Sequence, residues 1–342
     1  MQCGCGQRHW GRYGAAGLLL ADDDHHIVLQ HRAPWSHQGG TWGVPGGARN
    51  RDETALQAAV REASEEAGVR GQVRPHASYK LAHPDWSYTT VLARTRTGMP
   101  VAATDHESVE VRWHPIEEVT ELPLLGAFGR AWPVLRQMLQ TRAVLVVDGA
   151  NLLGSRPDGW WQDRAGAMSK LAGRLARVTD YGVPAELLGL PGHRWWPHVV
   201  LVTEGKARAA EPAPNLHTVA APADGDAAIV DAVEHLVGGG DLTSLPALVS
   251  GAGTTAPEAD DSDRGDDVAD SGLRVADNAG HDGVTGHDAA ADPGVGQPET
   301  GPPVQHVVTV SADRELRRRV QGMGAHVVGP RRLWQVLDDL PA

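Results

Sequence analysis

The stretch that decides the first fold is Gly46–Val69, GGARNRDETALQAAVREASEEAGV. Pro45 and two glycines lead into it, and Gly68 closes it as a helix C-terminal glycine does. The spacing predicts a helix over Asp52–Ala67. On that helix Glu62, Glu65 and Glu66 stand at i, i+3 and i+4, so they share one face with Cβ atoms about 5–6 Å apart. Like charges at this spacing destabilise a helix, and a cation is the expected remedy. A solvated acidic helix accounts for any two of these glutamates, but not for the whole spaced set behind Pro45-Gly46-Gly47.

Residues Gly47–Val69 fit the pattern G-x5-E-x7-R-E-U-x-E-E-x-G-U, with U apolar. Gly47, Glu53, Arg61, Glu62, Glu65, Glu66 and Gly68 occupy the fixed positions, and Ala63 and Val69 the apolar ones. This resembles the Nudix box, so residues 1–141 look like a Nudix hydrolase domain. The resemblance implies an α+β fold, a mixed sheet with flanking helices, and divalent-metal hydrolysis of a phosphoanhydride. It implies Glu62 and Glu66 as metal ligands, Glu65 assisting in binding and catalysis, and the Gly47 carbonyl near the metal. It also implies that Glu53 orients the site through Arg61. Glu107, in the loop before the segment Val109–Trp113, is a candidate for the base that activates water.

The physical chemistry agrees with that resemblance. Water attacking phosphorus builds negative charge on non-bridging and leaving oxygens, which a hard divalent cation stabilises. Mg²⁺ (or Mn²⁺) is held by a few carboxylates together with substrate phosphates. Trp35, Trp86 and Tyr88 are candidates for stacking a nucleotide base, with core or rim packing the competing use of each.

Outward from the box, residues 14–31 read as two short strands joined by an acidic turn. GTWGVPGG (Gly40–Gly47) reads as loop, because its glycines and Pro45 disfavour regular structure. WSYTTVLART and SVEVRWH alternate as strands do, and Gly126–Thr141 reads as a helix packed over them.

A second unit is expected over residues 142–342. Val144–Val147 is a continuous apolar run ending on Asp148, the mark of a strand buried on both faces. A helix follows around Asp163–Thr179, then the apolar strand HVVLVTEG (His198–Gly205) and a helix over Asp224–Val237. HVVTVSADRELRRRV repeats the device, with Asp313 between strand and helix, and AHVVGPRRLWQVL supplies a last pair. Alternating strands and helices with buried strands argue a parallel sheet, hence an α/β class. Residues 238–303, rich in Gly, Asp, Ala, Thr and Pro, lack periodicity and read as a disordered insert inside this unit rather than a linker.

Asp148, Asp226 and Asp313 fall at strand ends or helix starts, which converge on one edge of a parallel sheet. VVDGAN, GDAAIVD and VTVSADRELRRR together resemble the NYN branch of PIN-like nucleases. That resemblance implies Asp148, Asp226 and Asp313 as ligands for Mg²⁺ or Mn²⁺, Asn151 as a substrate-positioning residue, and RNA as a partner. Asp224 is an uncertain extra, and Glu204, before Gly205, reads as an ordinary turn residue. Arg317, Arg318, Arg319, Arg331 and Arg332 are available for phosphates, although three consecutive arginines cannot all face one ligand on a helix. Trp160-Trp161 and Trp195-Trp196 fall in expected loops.

The net charge of −12 is concentrated, since residues 236–303 carry 13 acidic and 2 basic side chains. The expected folded parts are thus near neutral, and the low pI does not argue against anionic substrates. Two cysteines, Cys3 and Cys5, cannot build a disulfide framework and point to a reducing, cytoplasmic setting. With His9 they form a fragment of a zinc-site pattern, short of the usual C-x2-C spacing. No run approaches the ~20 apolar residues of a membrane span, so no membrane partner is expected.

The leading reading is a metal-dependent pyrophosphohydrolase acting on a nucleoside diphosphate linked to a further group, with ribonuclease activity in the second unit. The alternatives are an RNA-processing enzyme acting on 5′ pyrophosphate ends and a non-catalytic nucleotide-binding sensor. An intact glutamate cluster argues against the sensor, which has no need of it.

Overall fold

The computed structural model describes residues 1–6, 8–245 and 304–341. The elements are β1 (Ala15–Ala21), β2 (His26–Arg32), β3 (Trp42–Gly43), β4 (Gly46–Ala48), α1 (Ala55–Ala67), β5 (Arg74–Ala82), β6 (Ser87–Arg94), β7 (Ser108–Pro115) and α2 (Gly126–Gln140). They continue with β8 (Thr141–Asp148), α3 (Gly149–Gly154), α4 (Arg164–Tyr181), β9 (Val183–Pro184), α5 (Ala185–Leu188), β10 (Arg194–Trp195), β11 (His198–Thr203), β12 (His217–Ala220) and α6 (Gly225–Val237). The chain then gives β13 (Val304–Val310), α7 (Arg314–Gly322), β14 (His326–Val328) and α8 (Pro330–Asp339).

The first sheet is mixed, in the order β3-β2-β1-β6-β5-β10-β9, with β4 on β1 and β7 on β2. β1 runs parallel to β6 and antiparallel to β2 and β4. One face of β1 packs Ala16, Leu18 and Leu20 against Ala58, Ala59, Ala63 and Ala67 of α1. Four alanines on that stripe let the helix lie close to the sheet, which carries its glutamates up to β4. The opposite face, with Leu19, Leu29 and Leu92, packs on Trp132, Leu135 and Met138 of α2.

The second sheet has five strands in the order β12-β11-β8-β13-β14, all parallel. β8 is buried on both faces: Val144 and Val146 join Ile229, Val233, Leu316 and Val320 of α6 and α7. Leu145 and Val147 turn the other way, onto Leu171 and Leu175 of α4 and Leu333 and Leu337 of α8. This strict alternation, apolar on both sides, is what a doubly covered strand requires. Strand order reverses between β8 and β13, which makes their carboxyl ends a topological switch point.

Several expectations are corrected. The expected loop Gly40–Gly47 contains β3 and most of β4, because its glycines serve close backbone approach rather than a turn. A Cβ on Gly46 would stand 2.4 Å from Gly17 Cα, so only glycine admits the pairing with β1. Helix α1 begins at Ala55 rather than Asp52, since Thr54 caps it. Strands β5, β9, β10 and β12 carry weak sequence signals: β5 has a register shift at Pro75 and exposed ends, and the others are short. Trp195 lies in β10 and is fully buried, not in a loop. Of the expected disordered insert, residues 246–303 lie outside the described residues; before them comes a 3-10 turn at Leu242–Ser244.

Candidate active site

Helix α1 is fixed at both ends. The Thr54 hydroxyl accepts from the Gln57 amide while the Gln57 side chain accepts from the Thr54 amide, a reciprocal capping box. At the other end Gly68 takes φ 65°, and its amide donates to the Ala63 carbonyl. Between the caps the glutamate face lies beside the Gly46-Gly47 backbone. The Gly46 amide donates to Glu66 Oε2 at 2.8 Å. A Cβ on Gly47 would sit 2.6 Å from Glu62 Oε2, so the Glu62 carboxylate rests directly on that glycine.

Arg61 ties the remaining groups together. Its Nε donates to Glu53 Oε1 at 2.8 Å and Nη2 to Glu53 Oε2 at 3.0 Å. Nη2 also donates to the Ala48 carbonyl at 3.0 Å. Nη1 reaches Glu62 Oε1 at 2.7 Å and Glu65 Oε2 at 3.1 Å. Planar guanidinium geometry is what allows a bidentate grip on one carboxylate and a simultaneous reach to two more. Glu53 comes from the loop ahead of the helix cap, so its absence from the glutamate face is a matter of chain path rather than of helical phase. Thr104 Oγ1 donates to the Glu65 carbonyl, bringing the segment before β7 over α1.

The electrostatics divide the carboxylates. Hydrogen bonds from Arg61, then the Asn50 amide, hold Glu53 down at about 2. Glu66, 8% exposed, is pushed up to about 7 by burial, against the Gly46 amide, with the charges of Asp105 and Glu62 adding to the rise. The carboxylate oxygens of Glu62, Glu65 and Glu66 are hard donors of the kind Mg²⁺ or Mn²⁺ takes. The ligand atoms of Glu62, Glu65 and Glu66 do not all lie within 4.8 Å of one another. Arg61 draws Glu62 and Glu65 aside, while Gly46 holds Glu66.

The other sequence candidates take varied positions. Glu107 is exposed and pairs with Arg32 at 3.7 Å. The residue whose charge reaches Glu66 from the same loop is Asp105, which accepts from the Glu107 amide and the Ser108 hydroxyl. Asp105 was missed, and its only signal is its place two residues before Glu107. Trp35 is 76% exposed. Trp86 is stacked on His9 at 4.3 Å and donates to the Trp10 carbonyl, so one ring face is already covered. The Tyr88 hydroxyl lies against Gly17 and Gly46, and burial pushes its phenol up. Its hydroxyl end is therefore packed against β1 and β4.

At the switch point of the second sheet, Asp148, Asn151, Glu204, Asp226 and Asp313 line one cavity of about 170 Å³. Asp148 Oδ2 accepts from Ser311 Oγ at 2.9 Å and its Oδ1 from the Asn151 amide at 3.0 Å. The Asn151 side chain accepts from the Ala312 amide at 2.8 Å, clamping α3 to the loop after β13. Asp313 and Asp224 cap α7 and α6. Burial pushes both Asp148 and Asp226 up, with neighbouring carboxylates adding to it. Glu204, read from sequence as a turn residue, belongs to this group, accepting from the Gly225 amide at 3.0 Å. Arg319 lies close enough to Asp226 to oppose its rise, while Arg318 pairs with Glu315. Arg331 and Arg332 are exposed.

Comparison with known proteins bears on the first of these sites. The NUDIX domain family matches residues 11–138. A putative 8-oxo-dGTP diphosphatase 3 of Mycobacterium tuberculosis is 47% identical over 142 residues, 38% of this chain and 65% of that protein. A nucleoside triphosphate pyrophosphatase/Nudix hydrolase fusion protein of Bifidobacterium longum is 44% identical over 142 residues, 39% of this chain and 30% of that protein. This chain thus spans less than two thirds of either relative's length. A crystallised Nudix hydrolase from M. smegmatis, RenU, is 42% identical, covering 40% of this chain and 92% of its own, with a TM-score of 0.38. The glutamates gathered on α1 beside the Gly46-Gly47 strand and the family match over the same segment agree: residues 11–138 of this chain are a Nudix domain.

Proposed function

We propose that the protein is a divalent-metal-dependent Nudix hydrolase that cleaves a phosphoanhydride in a nucleoside diphosphate linked to a further group. The observation that carries this is the buried Glu66 carboxyl, pushed up to about 7 beside Glu62 and the Gly46-Gly47 backbone. Glu62 and Glu66 would hold Mg²⁺ or Mn²⁺, with Glu65 at the exposed edge. The bound ion would supply charge stabilisation for the phosphate oxygens. Arg61 fixes the directions of Glu62 and Glu65 and is itself fixed by Glu53 and the Ala48 carbonyl. The carboxylate face is thereby preorganised before substrate arrives. Asp105, whose charge bears on Glu66, and Glu107, two residues further along that loop, are the acidic candidates for activating water.

The putative 8-oxo-dGTP diphosphatase among the relatives makes oxidised guanine nucleotides the first compounds to try. The test is release of phosphate, pyrophosphate and nucleoside monophosphate from a nucleotide panel with Mg²⁺ and with Mn²⁺. Metal-dependent turnover of at least one nucleotide supports the reading; binding without turnover across the panel favours the nucleotide sensor instead.

A second reading concerns the parallel-sheet half. Four carboxylates and Asn151 around one cavity, at the carboxyl ends of β8, β11 and β13, suit a metal-dependent nuclease of the PIN-like type acting on RNA. Labelled RNA incubated with Mn²⁺ should be cut by the full chain and spared by Asp148→Asn. Intact RNA in both samples would leave this half a scaffold.

A further inference from the structure

We infer that Cys3, Cys5 and His9 form a zinc-binding site that staples the N-terminal segment beside the Nudix box. Among the described residues these three are the one group of His, Cys, Asp or Glu whose ligand atoms all lie within 4.8 Å of one another. Neither the glutamates of α1 nor the carboxylates of the second sheet come that close. The C-x-C spacing counts against the site in sequence, but the backbone resolves the objection. The Gly6 amide donates to the Cys3 carbonyl at 2.9 Å, and Gly6 takes φ 82°, closing a tight turn that leaves both thiols on one side. The chain then returns through the Gln2–Arg8 bridge, with the His9 amide donating to the Met1 carbonyl at 2.9 Å. That return sets His9 Nε2 3.2 Å from Cys5 Sγ. A tetrahedral zinc ion with Zn–S of about 2.3 Å and Zn–N of about 2.0 Å holds sulfur and nitrogen roughly 3.5 Å apart, so the pair is close to ligating geometry.

The surroundings suit a metal centre. Cys3 is 3% exposed although nothing in a bare hairpin of this length demands a buried thiol. The His9 ring lies 4.4 Å from that of His83. It is locked flat on Trp86, and fixing the ring of a ligating histidine is the usual work of neighbouring groups. Asp85 accepts from the Gly4 amide at 2.7 Å and ties the turn to the β5–β6 hairpin. Two thiolates and one imidazole leave the fourth position to solvent.

The consequence is mechanical. The segment after His9 lies on the strand that carries Gly47: a Cβ on Gly11 would stand 3.0 Å from Ala48 Cβ, and the Arg49 amide donates to the Gly14 carbonyl at 3.0 Å. Arg51 donates to the Tyr13 hydroxyl at 3.2 Å. Zinc at the turn would therefore order a strap whose far end touches the loop leading to Glu53.

The experiment is metal analysis of the full chain, purified in reducing buffer without chelator, together with cobalt substitution. Equimolar zinc is expected after dialysis, kept by Glu66→Gln and lost by Cys3→Ser/Cys5→Ser. The cobalt form is expected to show the near-ultraviolet thiolate-to-cobalt charge-transfer band, which carboxylate ligation cannot produce and which the double variant lacks. Removing zinc should expose both thiols to a thiol reagent and free Trp86 fluorescence to change. Wild-type chain that gives no thiolate–cobalt band overturns the assignment, as does a Cys3–Cys5 disulfide in protein purified without reductant. Both results come from the wild type and stand even if the double variant misfolds.

Discussion

The Gly46 amide donates to Glu66 Oε2 at 2.8 Å, so the carboxylate at the centre of the candidate site is anchored to the strand it faces. That contact holds the carboxylate against β4, where it is 8% exposed. Burial is why Glu66 holds its proton to about 7.

The sign of the resulting pH dependence is fixed. Below 4.5 Glu66 is protonated in both folded and unfolded chains, and between 4.5 and about 7 the unfolded chain loses that proton first. The metal-free protein should therefore lose up to about 3 kcal/mol of stability from this group as pH rises through that window. Denaturant melts of wild type and Glu66→Gln at stepped pH check this: the fall should be absent in the variant. Added Mg²⁺ should stabilise wild type most at the alkaline end.

Glu53 carries the opposite sign. Its proton affinity is lowered to about 2, so its contribution is present above 4.5 and lost as pH falls through the folded value. Because it acts by holding Arg61, Glu53→Gln should lower kcat by ~10–100-fold, the usual cost of losing an outer-shell partner at a metal site. Arg61→Lys should behave no better, since an ammonium cannot bridge Glu53, Glu62 and Glu65 at once. Steady-state kinetics at saturating metal decide both.

Gly47→Ala should damage the site more than the fold. The added methyl would lie 2.6 Å from Glu62 Oε2 and must push that carboxylate away. The backbone there is not in the left-handed region. Stability should change little, because the methyl meets only the movable end of the Glu62 side chain, while metal affinity, read by calorimetry with Mn²⁺, falls by at least ~10-fold.

Thr54→Ala is a test of the helix rather than the chemistry. It removes the hydroxyl that accepts from the Gln57 amide, one half of the capping box on α1, and leaves the residue-54 amide free to donate to the Gln57 side chain, at a cost of ~1 kcal/mol. Thermal melting should drop by a few degrees with turnover at low temperature largely kept. An unchanged melt would mean that α1 is held by its alanine contacts alone.

Much of this architecture was legible because it rests on spacing. The glutamates at i, i+3 and i+4, the glycine closing α1 and the apolar run ending at Asp148 each reflect a period the chain must obey. What escaped depends on contacts between distant segments. Gly46 and Gly47 look like loop residues until β1 lies against them. Asp105 gains its place beside Glu66 only when the β7 loop folds over α1, and Glu204 joins Asp148 and Asp226 only across parallel strands. Strands β9 and β10 are too short for any pattern and are held by β5, while Trp195 owes its burial to that pairing.

The most direct measurement is nucleotide hydrolysis by the full chain across a Mg²⁺ titration, run beside Glu66→Gln at matched folding. The account predicts turnover that rises with metal in wild type and is reduced by more than ~100-fold in the variant, beyond what an outer-shell loss explains. Equal turnover in the two proteins, or wild-type turnover indifferent to chelation, would contradict it.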